Sequence, residues 1–173
     1  MKRILTCLCT LFLSLCAMAQ GWPSSYGGVM LQGFYWDSFD DSQWTVLEKK
    51  ADDLSGYFDL VWVPQSGKAA GSKSMGYDPL YYFNQNSSFG TEAELKSMIR
   101  TFKEKHIGTI ADVVINHHGT NNGWFGFPAE TYKGVTYQHQ STDVCANDDG
   151  GKAAEQARKE GVQLGRNNDE GEG

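Results

Sequence analysis

Short apolar runs alternate along the chain with segments of helical period. Residues 29–36, 59–64 and 109–115 are nearly continuous in apolar, β-branched and aromatic side chains, and each run predicts a strand. Strands that are apolar throughout are typical of a parallel sheet that helices bury on both faces. The pattern therefore predicts an α/β fold in which helices connect parallel strands.

Two segments of helical period lie between these strands. In the first, Ser42 is placed to cap a helix that ends at Gly56, and in the second Thr91 and Glu94 form a capping box. A third, short helix is predicted over residues 151–160. The apolar faces of the first two helices consist of Trp44, Leu47, Ala51 and Leu54, and of Leu95, Met98, Ile99 and Phe102.

Residues 116–173 are rich in glycine, asparagine and aspartate and show no strong period, which predicts a loop-rich region. Three strands and two helices do not close a barrel, since a closed eight-unit barrel needs about 250 residues. Residues 167–173 add no closing strand or helix. We therefore expect the chain to be the truncated N-terminal part of a larger protein.

The N-terminus has the features of a secretory signal peptide. A basic start precedes an apolar run over residues 4–15 and a small-x-small site at residues 17–19, which predicts cleavage before Gln20. The apolar run is shorter than the ~20 residues of a membrane span. An uncleaved anchor and a lipid anchor at Cys16 are the alternatives. We expect an exported protein, secreted, periplasmic or at the cell surface, with no transmembrane span after cleavage.

Composition limits the partners and the cross-links of the chain. A net charge of -6 excludes a nucleic-acid partner, because phosphate binding needs a basic face. Three of the four cysteines fall in the predicted signal peptide, so Cys145 alone would remain and no internal disulfide would form. The many aromatic residues suit carbohydrate stacking, and they suit an ordinary core equally.

Polar residues of types that serve in binding and catalysis cluster at the third predicted strand. Asp112 lies within that strand, and Asn116 and His117 lie at its carboxyl end. In α/β barrels, functional groups sit at the carboxyl ends of the strands. Taken alone, the pattern leaves open a structural histidine and a buried acid with purely structural partners.

Five segments, in the same order along the chain, resemble the α-amylase family of glycoside hydrolases. The first short conserved motif of that family resembles residues 112–117, Asp-Val-Val-Ile-Asn-His. The other four segments are Met-Leu-Gln-Gly-Phe-Tyr-Trp-Asp at 30–37, Leu-Val-Trp-Val-Pro at 60–64, Gly-Tyr-Asp-Pro with a tyrosine at 76–81, and Asn-Asp-Glu-Gly-Glu-Gly at 168–173.

The resemblance implies the first three βα units of a (β/α)8 TIM barrel, followed by the start of an inserted loop-rich domain after the third strand. It divides the chain into a signal peptide over 1–19, a partial catalytic barrel over 20–117 and a partial inserted calcium-binding domain over 118–173. It also implies a monomer that acts on starch or a related α-glucan.

The family's substrate-binding residues can be transferred onto three positions. Tyr77 corresponds to the tyrosine that stacks on the sugar at the cleavage subsite, and His117 to the histidine that hydrogen-bonds that sugar. Asp112 corresponds to an aspartate that helps to organise the site. Four further aromatic residues can also contact glucan, although most of the four are predicted to pack in the core or in loops: Tyr35, Trp36, Trp124 and Phe125.

The resemblance also implies a calcium ion. Asn116 corresponds to a calcium ligand, and Asp148 and Asp169 are the carboxylate ligands expected from the inserted domain, because calcium takes six to eight oxygens. Near relatives carry Cys-Arg-Asp-Asp where this chain has Cys-Ala-Asn-Asp at 145–148. The composition alone also allows solvated loop acids here.

The family hydrolyses α-1,4-glucosidic bonds with retention, which needs a carboxylate nucleophile and a carboxylic general acid about 5–5.5 Å apart. In the family these follow the fourth and fifth strands, so no catalytic residue is assigned within the chain. Glu130, Asp143 and Glu170 correspond to neither position. We expect this chain to be inactive by itself.

Three alternatives to this function remain at the level of the sequence. The full protein can be a non-catalytic glucan-binding relative that keeps the barrel and lacks the acids. It can instead be a transglycosylase, or an enzyme for a different α-glucoside. The last alternative, a metal-binding secreted α/β domain of another role, requires that the five-segment resemblance be accidental.

Overall fold

The computed structural model describes residues 25–147 and 149–167. The predicted signal peptide, Asp148, Asp169 and the segment 168–173 lie outside these residues. Within them, no helix is both long and apolar enough to cross a bilayer.

Three short parallel strands form the centre of the structure. They are β1 (Met30–Gln32), β2 (Leu60–Val63) and β3 (Gly108–Ala111), in the spatial order β1-β2-β3. The register places Leu31 beside Val61 and Val61 beside Thr109. Because each crossover carries helical structure, the sheet has the α/β architecture that the apolar runs predict.

The first and third strands are shorter than their apolar runs predict. β3 ends at Ala111, which pairs with Val63, the last residue of β2. The residue that follows β2 is Pro64. Proline has no N–H to donate, so the ladder ends here. Val113 and Ile115, predicted to lie in a strand, are 66% and 83% exposed. No residue of β1 or β3 is fully buried, so the prediction that every strand is buried on both faces was wrong for these two strands.

The first predicted helix is interrupted. α1 (Trp44–Lys49) and α2 (Ala51–Ser55) are separated by Lys50, whose φ of -89° and ψ of 0° lie outside ideal helical geometry. Gly56 ends the second piece, as the sequence predicts. The two pieces together span the predicted helix, so the helical period located the element and missed its break.

Ser42 does not cap α1, which corrects the sequence-based prediction. The N-cap residue is Gln43, and its side chain makes no capping hydrogen bond. The Ser42 hydroxyl instead donates to the Ser38 hydroxyl, and the amide of Trp44 donates to the carbonyl of Phe89 at 2.9 Å. A carbonyl from a distant loop thus satisfies a helix donor that a local side chain was expected to satisfy.

The other two helices follow their sequence signals. α3 (Glu92–Glu104) begins with the Thr91–Glu94 capping box, in which each residue's backbone N–H bonds the other's side chain. The Glu94 pKa is lowered because its carboxylate accepts hydrogen bonds from Thr91. α4 (Lys152–Glu160) coincides with the short helix predicted near the end of the chain.

The helices α1 to α3 pack on one face of the sheet and enclose the core. Val61 and Val63 of β2 are buried in it, whereas Trp62, whose side chain alternates to the other face, is partly buried and packs edge-on against Phe34. Three of the largest side chains in this core are completely buried: Trp44, Phe89 and Phe102. The sheet therefore has one helix-covered face and one face free to carry polar groups.

A β-hairpin lies in the region that the sequence predicts as loop. β4 (Glu130–Tyr132) pairs with the antiparallel β5 (Val135–Tyr137) across Lys133 and Gly134, both of which have positive φ. Two such residues form the type I′ turn that suits a two-residue hairpin. The alternation of residues around a glycine was the sequence signal for it.

Candidate functional site

Asp112 is the centre of a hydrogen-bonded group on the face of the sheet opposite the helices. It directly follows β3, and the register pairs Trp62 of β2 with Ile110, two residues before Asp112, so that the Trp62 and Asp112 side chains lie on the same side of the sheet. The Trp62 indole Nε1–H donates to Asp112 Oδ2 at 3.2 Å, and the Tyr77 hydroxyl donates to the same oxygen at 2.9 Å. The carboxylate thus fixes one residue of a strand and one residue of a loop.

Tyr77 owes its position to the glycine before it. Gly76 has a φ of +93°, and a Cβ there would lie 2.7 Å from the Gln65 Cβ and 2.9 Å from the Gln65 carbonyl oxygen. Both the positive φ and the close approach require glycine. The imidazole Nε2 of His117 lies 2.7 Å from the backbone oxygen of Tyr77. The structure therefore brings together Tyr77, Asp112 and His117, the three predicted substrate-binding residues.

The hydrogen bond to Asp112 affects the titration of Tyr77. Burial, followed by the hydrogen bond and the negative charge of Asp112, raises the pKa of Tyr77 to about 12. The phenol therefore stays neutral and remains a hydrogen-bond donor throughout the physiological range. Its ring presents no charge to a ligand.

Trp36 stands next to Tyr77 and is 70% exposed, so it is not packed in the core. The two rings are parallel within 5°, with centroids 6.1 Å apart. The backbone around Trp36 is tightly held, since Ser38 donates to the Tyr35 carbonyl at 3.1 Å and its hydroxyl accepts from the Tyr35 amide at 3.2 Å. Trp36 is one of the four aromatic residues for which a glucan contact was considered, and most of the four were predicted to be packed.

Asn116, the predicted calcium ligand, is exposed and lines a cavity of about 450 Å³ together with His117, Asp143 and Asp149. The Asp143 carboxylate accepts from the amide of Gln140 at 2.8 Å, and that of Asp149 from an amide of α4 at 2.7 Å. Within residues 25–147 and 149–167, no group of three His, Cys, Asp or Glu side chains is placed to hold a metal. Both predicted carboxylate ligands, Asp148 and Asp169, lie outside the described residues, so calcium binding stays a prediction.

His118 is a site neighbour that the sequence analysis did not single out. Its ring is packed between aromatic partners, with the centroid of His139 at 4.9 Å and that of Tyr82 at 5.2 Å. Burial lowers the pKa of His118, partly offset by a hydrogen bond with the carbonyl of Gly119. Its position directly after His117 was the only signal in the sequence.

Comparison with known proteins identifies the family. The family model for the α-amylase catalytic domain matches residues 58–149, which is more than half of the chain. The matched segment contains Tyr77, Asp112, Asn116 and His117. The chain belongs to the α-amylase family, and the relatives with which it shares sequence are glycoside hydrolases of that family.

Two relatives illustrate how much sequence the chain shares with known α-amylases. The chain is 33% identical over 110 residues to probable alpha-amylase 2 of Arabidopsis thaliana, which covers 62% of the chain and 26% of that protein. It is 30% identical over 128 residues to the alpha-amylase of Bacillus licheniformis, covering 68% and 25%. The chain therefore spans about a quarter of the length of these relatives.

The fold is also that of a solved amylase. The chain resembles alpha-amylase I of Eisenia fetida in its complex with maltohexaose, with a TM-score of 0.55 and 20% identity over 76% of this chain and 29% of that one. The three parallel strands and their helices thus correspond to part of the family's (β/α)8 barrel, as the sequence resemblance implies.

Proposed function

We propose that the chain forms the sugar-binding side of the active site of an exported α-amylase-type enzyme, which hydrolyses α-1,4-glucosidic bonds of starch-like glucans with retention. The observation that carries this proposal is the assembly of Tyr77, Asp112 and His117 from three separate segments at one end of the sheet. Family membership makes a glucan the substrate class that this assembly suits.

The three side chains have distinct roles in this proposal. The Tyr77 ring stacks on the C–H face of a glucosyl unit, while the Asp112 carboxylate accepts a hydrogen bond from the Tyr77 hydroxyl and so fixes the ring. Because a carbonyl oxygen only accepts, the His117 Nε2 that contacts the Tyr77 carbonyl carries the proton. In the neutral ring, Nδ1 is then the acceptor for a sugar hydroxyl.

The chain by itself should bind glucan without cleaving it. Retaining hydrolysis needs two carboxyl groups about 5–5.5 Å apart. Among the described residues that line the cavity of about 100 Å³ beside Asp112, no second carboxylate is present. The carboxylates of Glu130 and Asp143 already accept backbone hydrogen bonds elsewhere. The bond-breaking pair is assigned to positions that follow the fourth and fifth strands of the family's barrel.

Three further features belong to the proposal. Calcium is proposed to bind Asn116, Asp148 and Asp169, where it would cross-link the barrel to the inserted domain. The other two proposed features are export through the N-terminal signal and a monomeric state. Calcium titration by calorimetry tests the first: heat that disappears in Asn116→Ala supports the site, and identical heats in both proteins contradict it.

Binding and turnover of glucan test the central proposal. Maltoheptaose should bind the chain from Gln20 onward, and Tyr77→Ala should weaken binding about tenfold, as expected for loss of ~1.4 kcal/mol of stacking. Tyr77→Phe keeps the ring and should bind more tightly than Tyr77→Ala. A reducing-sugar assay with starch should show no turnover. Clear turnover would overturn the division of roles, and equal binding by all three proteins would overturn the site.

A further inference from the structure

A second cavity, of about 480 Å³, lies between the hairpin and the loop that carries Tyr82 and Phe83. Two aromatic rings that line it, Phe83 and Tyr137, have centroids 5.1 Å apart and are 37% and 47% exposed. Phe83 also stacks on Tyr132, with centroids at 4.4 Å and planes within 6°. The volume lies in the range of small-ligand sites, about 300–1,000 Å³. These three residues are called the hairpin aromatic cluster below.

A single carboxylate holds this cluster in place. Glu130 of β4 accepts hydrogen bonds from the consecutive amides of Tyr82 at 2.9 Å, Phe83 at 3.0 Å and Asn84 at 2.7 Å. The loop that carries Phe83 is therefore fixed to the strand that carries Tyr132. Ring surfaces that are rigid before binding lose little conformational entropy on binding, which favours them as ligand contacts.

The walls of the cavity offer hydrogen-bonding groups beside the rings. Thr136, Gln138 and His139 line it. The Gln138 side-chain amide donates to the Phe127 carbonyl at 2.9 Å, which orients its own oxygen as an acceptor. Aromatic faces beside neutral hydroxyl and amide groups fit a pyranose ring, which has an apolar C–H face and a rim of hydroxyls. The Glu130 carboxylate also lines the cavity, and it already accepts hydrogen bonds from three backbone amides.

The cavity adjoins the candidate site. Tyr82, His118 and His139 line both this cavity and the cavity of about 450 Å³ that contains His117. These three rings pack against one another, with centroid separations of 4.9–6.2 Å, and form the wall between the two spaces. A ligand that passes over this wall therefore reaches from His117 to the hairpin aromatic cluster.

We propose that the cavity beside the hairpin aromatic cluster is a second α-glucan site, in which a glucosyl unit stacks on Tyr137 and hydrogen-bonds to Gln138. The identity of the sugar rests on the proposed function, since family membership and Tyr77 supply the substrate class. The site itself rests on separate residues, so the two proposals can fail independently.

Mapping of backbone amide shifts by NMR during titration with maltoheptaose tests the proposal. We expect one group of shifts around Tyr77 and His117 and a second around Phe83 and Tyr137. Shifts around Tyr77 alone would overturn the second site and leave the proposed function standing. Shifts at the hairpin alone would support the second site and overturn the proposed function. No shifts at either place would overturn both.

Variants separate stacking from folding. Tyr137→Ala should weaken the hairpin titration about fivefold, as loss of one aromatic contact predicts, and leave the shifts around Tyr77 unchanged. Tyr137→Phe keeps the ring and should titrate as the parent chain does. Tyr57→Ala is the matched control, because Tyr57 is exposed beyond the end of α2. Equal weakening in Tyr57→Ala, or equal hairpin shifts with cellohexaose, would overturn the assignment.

Discussion

The Tyr77 hydroxyl donates a hydrogen bond to the Asp112 carboxylate over 2.9 Å, joining a loop to the residue that follows β3. The same carboxylate oxygen also accepts from Trp62. One acid therefore fixes the ring that is proposed to stack on the sugar. Several measurable consequences depend on this and on three other local arrangements.

Asp112→Asn should lower the pKa of Tyr77 from about 12 towards the ordinary tyrosine value of about 10. Burial contributes most to the raised value and remains in the variant, so the decrease should be partial. A pH titration of phenolate absorbance measures it, and the difference between the parent chain and Tyr77→Phe isolates the Tyr77 signal. If the pKa of Tyr77 is the same in Asp112→Asn as in the parent chain, the contact between the two side chains is contradicted.

His118 should make the protein less stable in mild acid. Its folded-state pKa lies below the unfolded value of about 6.5, because burial disfavours the charged ring. The folded state therefore binds fewer protons, so this contribution to stability is present above about pH 6.5 and is lost as the pH falls below it. Urea unfolding between about pH 7.5 and about pH 5.5 measures the loss. His118→Phe should reduce the pH dependence, whereas His106→Phe, at an exposed position, should leave it intact.

His106→Gly should stabilise the chain by ~1 kcal/mol. His106 lies two residues beyond the end of α3 and has a φ of +60°. The next amide, that of Ile107, donates back to the Phe102 carbonyl at 2.8 Å. This is a Schellman ending with a side chain at the position that usually carries glycine. Urea unfolding gives the change in free energy. His106→Ala keeps the Cβ and should bring no such gain; a comparable gain from both variants would refute the conformational explanation.

Glu130→Ala should destabilise the chain by ~2 kcal/mol, because the partly buried amide of Tyr82 and the exposed amides of Phe83 and Asn84 lose their charged acceptor. Glu130→Gln keeps one oxygen and should lose less. Amide hydrogen exchange gives a local readout, with faster exchange expected at Phe83 and Asn84 and no change in α4. Unchanged exchange at these two amides in Glu130→Ala would show that they have another acceptor.

The features that sequence alone predicted are those with local signals. The capping box of α3 depends on two residues three positions apart, and the structure confirms it. The early end of β3 depends on Pro64, which directly follows the neighbouring strand β2, and could not be predicted from the apolar run itself. The failure of Ser42 as a cap has the same origin, since Phe89 supplies the acceptor from a distant loop.

The candidate site shows the same division. The resemblance selected Tyr77, Asp112 and His117 one by one, but the hydrogen bonds between them link residues 35 and 40 positions apart. The prediction had no means of finding the contact of Trp62 with Asp112, because pairing register decides it. The sequence left open whether Trp36 packs or contacts glucan, because its exposure depends on the turn that Tyr35 and Ser38 hold.

Glu130 also determines when the loop at residues 82–84 can reach its final form. The carboxylate lies 46 to 48 positions downstream of the amides that it binds. During synthesis on the ribosome the loop therefore emerges long before its acceptor, and its amides must remain with water until β4 follows. Such non-local closure is slow compared with helix formation. The loop should accordingly be among the last parts of the nascent chain to become ordered, after α3, which lies between the two partners and needs only its neighbours to begin.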